Sequence, residues 1–198
     1  MKTALFLAGA FLLAFAGSPS ALAAEMPASA SLPGDSVYHV DATLTDQHGK
    51  TRRFDEGRGK PVIASMFYSS CKFVCPLIID SVRKTERTLT DAEREHLGVL
   101  LVSLDPDKDT PAVLGQLANK RHIDSPRWHL ARAEAPDVRR IAAVLGVQYK
   151  RLDDGEFSHS SVLILLDAQG RIVARSEKLG DVDPDFLAAV RKTLQAAP

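Results

Sequence analysis

"KPVIASMFYSSCKFVCPLI", residues 60–78, passes from one structural habit to another. Lys60 to Tyr68 is almost uninterruptedly apolar, as a strand buried on both faces must be. Pro76 suits the first turn of a helix, where its missing N–H costs nothing. Ile78, Val82, Thr85 and Leu89 then recur at helical spacing, with Arg83, Lys84, Glu86 and Arg87 mostly on the other side. The strand thus hands over to a helix around Cys71 and Cys75, which are both cysteines of the chain.

Thiols this close suit some roles better than others. A disulfide between Cys71 and Cys75 closes so short a loop that it removes little unfolded-chain entropy and stabilises little. Reversible thiol–disulfide chemistry or a soft metal ion makes better use of the pair. A helix N-terminus favours thiolate over thiol through its free N–H groups and dipole. With Cys71 in the first turn, Cys75 faces the same way and two sulfurs converge on one ion.

Around this handover, elements alternate. Thr90-Asp91-Ala92-Glu93 has the form of a capping box and starts a short helix. Leu97 to Leu104 reads as a second buried strand, and Thr110-Pro111 opens a helix to about Arg121. "RWHLARA" reads as a strand, Pro136 to Leu145 as a helix, and "SVLILLDAQGRIVARS" as two strands around an Asp-Ala-Gln-Gly turn. Asp185 to Leu194 closes as an amphipathic helix. Upstream, "YHVDATLTDQHGKTRRF" reads as an added N-terminal β-hairpin. The fold class expected is an α/β, thioredoxin-like sandwich, with the cysteines at the carboxyl end of a central strand.

The chain opens with Lys2, an apolar run from Ala4 to Ala16 and Ala21-Leu22-Ala23, the plan of a cleaved secretory signal over residues 1–23. The run is shorter than the ~20 residues a spanning helix needs, which sets an uncleaved anchor second. Residues 24–36, small and Pro-containing, read as a flexible tether, and 37–198 as the single domain. Without residues 1–23 the chain has 24 basic and 25 acidic side chains, which offers no basic field for nucleic acid. Export implies an oxidising compartment, a periplasm in a bacterial source.

His159, in "GEFSHSSV", precedes the apolar strand Val162 to Leu166. In a thioredoxin-like fold the loop entering that strand lies opposite the cysteine loop, so His159 faces both sulfurs. His39, His48, His96, His122 and His129 read as surface or packing residues. Two thiolates and an imidazole favour Cu(I), whereas zinc usually takes a fourth ligand.

The sequence resembles the Sco/SenC family of copper-handling, thioredoxin-fold proteins from about Val37 to Leu194. The resemblance rests on "GKPVIASMFYSSCKFVCP", "VSLDPDKDTP" and "HSSVLILLDAQGRIV" in order and spacing. It implies Cys71, Cys75 and His159 as ligands for Cu(I) or Cu(II). It also implies copper delivery to, or thiol reduction at, the dinuclear copper centre of cytochrome c oxidase. The implied partner is a copper-receiving oxidase subunit or another periplasmic copper chaperone, with a monomer as the default. The family often reads Cys-Pro-Asp-Val-Cys-Pro, where this chain has Lys72 and Phe73. Lys72 brings positive charge to the thiolates and Phe73 an apolar rim.

Asp105, Asp107 and Asp109 imitate the start of a calcium loop, but Thr110 and Gln116 stand where that loop needs Gly and Glu. Asp105 remains a residue for supporting the site or docking a partner, with helix capping as the plain alternative. Two enzymatic readings compete with copper handling. A thiol–disulfide oxidoreductase would use Cys71 and Cys75, although the spacing is not C-x-x-C and Ser-His-Ser replaces the usual cis-proline before Val162. A thiol peroxidase would need Thr or Ser where Lys72 stands. No catalytic residue beyond the two redox cysteines is identified.

Overall fold

Two strands, β1 (Thr43–Asp46) and β2 (Thr51–Arg53), open the domain as the expected antiparallel hairpin. The computed structural model describes residues 31–71, 73–123 and 126–197 of the chain. The expected signal peptide, and the expected tether as far as residue 30, lie outside the described residues. Pro33 to Ser36, expected in the tether, pack on the domain. Ser36 is buried, its hydroxyl donates to the Gln169 carbonyl at 2.5 Å, and Asp35 pairs with Arg171.

β3 (Val62–Phe67) is buried at every position and is followed by helix α1 (Val74–Arg87). Then come α2 (Asp91–Glu95), β4 (Gly98–Ser103), α3 (Pro111–Lys120), β5 (Trp128–Ala133) and α4 (Ala135–Leu145). The chain ends with β6 (Tyr149–Arg151), β7 (Phe157–His159), β8 (Leu163–Leu166), β9 (Ile172–Ser176) and α5 (Pro184–Ala196). Local chemistry sets the helix starts. Thr90 and Glu93 form the reciprocal capping box, and the Thr110 hydroxyl caps α3 with Pro111 in its first turn.

Seven strands make one sheet in the order β2-β1-β5-β4-β3-β8-β9. β3, β4 and β5 run parallel, while β8 runs antiparallel to β3. The core is continuous across the sheet, and Ile78, Ile79 and Val82 bring the apolar stripe of α1 onto it. Full burial of each such side chain contributes roughly 1.5–3 kcal/mol. β6 and β7, absent from the sequence reading, form a separate two-stranded sheet. No helix among the described residues is long and apolar enough to cross a membrane.

This topology sets one end of the sheet apart. β3 and β4 are parallel with Phe67 opposite Ser103, so the loops after both strands emerge side by side. β8 is antiparallel with Val62 opposite Leu166 and Ala64 opposite Ile164, so its start lies at that same end. The Ser65 hydroxyl donates to the Val162 carbonyl at 2.7 Å and ties the two strands there.

Candidate metal centre

Cys71 lies outside the helix rather than in its first turn. α1 begins at Val74, and its N-cap residue, Phe73, has no side chain that accepts a hydrogen bond. The Cys71 sulfur takes that part, accepting the Cys75 N–H at 3.5 Å. Cys75 is buried, and its sulfur accepts the Tyr68 N–H at 3.4 Å. No disulfide joins the two thiols in this structure.

The thiols are chemically unequal. Burial pushes the Cys71 thiol up, but the N–H groups of Cys75, Phe73 and Val74 outweigh it and leave its pKa below the ordinary value. Burial drives the Cys75 thiol far above the ordinary range, and the neighbouring Cys71 charge adds to the rise. Half-exposed Cys71 is therefore the better nucleophile, and Cys75 the harder thiol to ionise.

His159 ends β7, so it lies on a strand and not in a loop. Its Nδ1 is 3.1 Å from the Ser160 carbonyl, which can only accept. That contact assigns the proton to Nδ1 and leaves the lone pair of Nε2 for a ligand. Burial lowers the His159 pKa, only partly opposed by the Ser160 carbonyl, which favours the neutral ring that binds metal.

Tyr68 is the common neighbour of these three residues. Its carbonyl accepts the Cys71 N–H at 3.3 Å, its N–H reaches Cys75, and its ring meets the His159 ring edge-on at 5.7 Å. Its hydroxyl donates to Glu156 at 2.9 Å, and Phe157 packs 5.2 Å from its ring. The donor chemistry suits a soft ion, and all three residues share one end of the sheet. Among the described residues, however, no three His, Cys, Asp or Glu side chains are grouped closely enough to hold an ion.

Asp109 anchors the cysteine loop. This buried carboxylate accepts the Ser69 N–H at 3.0 Å and both the Ser69 and Ser103 hydroxyls. Asp105 is 1% exposed, so it presents no docking surface, and Thr110 performs the capping of α3. Neither carboxylate oxygen of Asp105 has a hydrogen-bond partner, and Lys108 Nζ stands 3.5 Å from Oδ2. Phe73 is 82% exposed beside the thiols, whereas Lys72 lies outside the described residues. Tyr68, Glu156 and Asp109 escaped the sequence reading. The contacts of Tyr68 with Glu156 and of Asp109 with Ser69 span 88 and 40 positions, and only the polar "DPDKDTP" stretch drew attention to Asp109.

The family model for SCO1/SenC matches residues 33–195. The chain belongs to the SCO1/SenC family. A SCO2-like protein of Rickettsia felis is 26% identical over 137 residues, which cover 66% of this chain and 65% of that protein. The chain thus spans somewhat less than two thirds of that curated relative. The solved structure of Bradyrhizobium japonicum ScoI with copper bound matches with TM-score 0.61 and 22% identity, covering 78% of this chain and 98% of the other. BsSco, described as a member of the Sco family of cytochrome c oxidase assembly proteins, matches with TM-score 0.65 and 19% identity. That match covers 78% of this chain and 92% of BsSco. At these identities both structures establish the thioredoxin-like Sco fold for this SCO1/SenC chain.

Proposed function

We propose that this SCO1/SenC protein is a copper-binding accessory protein. It holds one Cu(I) on Cys71, Cys75 and His159 and passes it to a copper-receiving subunit of a respiratory oxidase. The assignment of His159 is supported by its bond to Ser160, which leaves Nε2 as a neutral donor at the cysteine end of the sheet. The copper-bound relative and the oxidase-assembly role of BsSco support the choice of cargo and client. Transfer is ligand exchange, in which a client's soft donors replace the three ligands one at a time. On this reading residues 1–23 act as an export signal, with a periplasm as the destination in a bacterial source, and the tether ends before Pro33, where the chain packs on the domain.

Anaerobic Cu(I) titration of the reduced protein tests the reading. One tightly bound copper per chain is expected, weakened about tenfold or more by His159→Ala. Weak binding, or binding indifferent to His159→Ala, overturns the three-ligand site.

The unequal thiols support a second role, reduction of client disulfides. Cys71 thiolate attacks one sulfur of the client disulfide, and the other client sulfur leaves as a thiolate. Cys75, on losing its proton, attacks the Cys71 sulfur of the mixed disulfide and releases the second client thiolate. The client gains two electrons and the protein ends as a Cys71–Cys75 disulfide. Trapping of the mixed disulfide by Cys75→Ser and not by Cys71→Ser is the expected signature.

A further inference from the structure

A recess of about 200 Å³, away from the cysteines, opens on one face of the sheet. Val62 and Gly98 sit opposite each other in its floor, as do Leu100 and His129. The 3-10 turns Val37–His39 and Phe54–Gly57 contribute Tyr38, Phe54 and Glu56 to its wall. Two glycines help keep it open. A Cβ on Gly98 would come within 3.3 Å of Lys60 Cε and Val62 Cγ2, and one on Gly57 within 2.7 Å of the Tyr38 hydroxyl.

Two polar atoms in this lining lack partners. Tyr38 is 4% exposed and its hydroxyl makes no hydrogen bond, and His129 Nδ1 is buried and also unpaired. A buried polar atom left unpaired costs about 1–3 kcal/mol, which a ligand able to pair with it would recover. Charge points to the kind of ligand. Arg52, Arg53, Lys60 and Arg127 line the recess against one acid, Glu56. Arg52 is engaged by Asp46 and Glu56, Arg53 by Asp55 and Asp41, and Arg127 by Glu86. Lys60 has no ion pair among the described residues, and burial together with Arg52 and Lys60 keeps the His129 ring neutral, its pKa near 4.

We infer that the recess binds a small organic carboxylate. Its head accepts hydrogen bonds from the Lys60 ammonium, the Tyr38 hydroxyl and the Nδ1–H tautomer of His129, and its apolar body rests on Phe54, Val62 and Leu100. A carboxylate accepts and never donates, as these three donors require. No residue of the proposed copper site lines the recess, so the inference stands independently of the copper reading.

The probe is benzoate, titrated into the purified protein and followed by amide ¹H–¹⁵N spectra, with benzamide as its neutral counterpart. Shifts centred on Gly57, Lys60, Gly98, Leu100 and His129 are expected for benzoate, with binding weakened about tenfold by Lys60→Gln and about threefold by Tyr38→Phe. Benzamide should bind at least about tenfold more weakly than benzoate. Equal binding of the two probes, indifference to Lys60→Gln in a natively folded variant, or no shift at these amides overturns the inference.

Discussion

Two of the protein's hairpins, β1–β2 and β6–β7, are fastened in different ways. β1–β2 is fused to the main sheet, because β1 pairs with β5 from Leu44 opposite Ala133 to Asp46 opposite Ala131. The Gln47 side chain extends the junction, bonding the Trp128 carbonyl and the Leu130 N–H. β6–β7 pairs only with itself. Side chains fasten it to the body: Tyr68 to Glu156, Tyr68 against Phe157, and Arg151 3.8 Å from Asp107. The hairpin with the stronger backbone attachment carries none of the proposed ligands, whereas the side-chain-held one carries His159. A ladder of backbone bonds opens only with the sheet, while a side-chain clasp opens alone. His159 is therefore expected to adjust independently of the cysteines, as the proposed grip and release of a copper cargo would require.

The most forceful way to break this comparison is to excavate each hairpin's apolar anchor. Leu44 is 1% exposed in β1, and Leu44→Ala should cost about 2–5 kcal/mol of global stability in urea unfolding. Phe157→Ala should cost distinctly less in the same experiment, with faster amide exchange confined to β6–β7. The larger side chain then yields the smaller global loss, because its hairpin opens locally. Equal losses for the two variants would show that β6–β7 belongs to the same cooperative unit as the sheet.

The sequence made one hairpin legible and hid the other. "ATLTDQHGKTRRF" places a turn between alternating segments, a period-two signal that survives because one face of β1 is buried. β6 and β7 are three residues each, Tyr-Lys-Arg and Phe-Ser-His, too short to show a period, and the polar "LDDGE" between them reads as plain loop. The central strands and helix caps were legible for the same local reason: burial on both faces of β3 and hydroxyls at Thr90 and Thr110. Pro76 lies in the first turn of α1 as expected, but Cys71 falls outside it because its sulfur serves as the cap, outside the usual set of capping oxygens. Tyr68 with Glu156, and Ser69 with Asp109, meet across 88 and 40 positions and leave no local pattern.

A pH experiment sharpens the fused side of the comparison. Asp46 is fully buried in the β1–β2 turn, accepting the His48 and Lys50 N–H groups and the Arg52 guanidinium. Burial pushes its carboxyl up, but the bonds from those three partners and the Arg52 charge prevail and leave the pKa below its ordinary value. A folded-state pKa beneath the unfolded one means that the unfolded chain binds more protons. The stabilisation is therefore complete above the unfolded value of about 3.9 and is lost as pH falls through the folded one. Asp46→Asn should cost about 1–3 kcal/mol at neutral pH and flatten the decline of stability below about pH 4. An unchanged acid limb in the variant would remove Asp46 as its cause.

The smallest expected effect is the most informative about the clasp. Tyr68→Phe keeps the ring against Phe157 and His159 and the backbone bonds to both cysteines, and removes the hydroxyl that donates to Glu156 and also meets the Phe157 N–H and the Cys71 thiol. Its cost in global stability should be about 0.5–1.5 kcal/mol, because the hydroxyl's contacts are only partly buried. The same deletion loosens the turn that leads into β7, because Glu156 directly precedes Phe157. Amide exchange in β6–β7 should quicken while exchange in β1 stays unchanged, and the His159 ring resonances should broaden or shift. If β1 and β7 respond alike, the two hairpins are coupled through the core and His159 has no freedom of its own. If neither responds, the clasp is the aromatic packing of Phe157, and Phe157→Ala alone should set His159 loose.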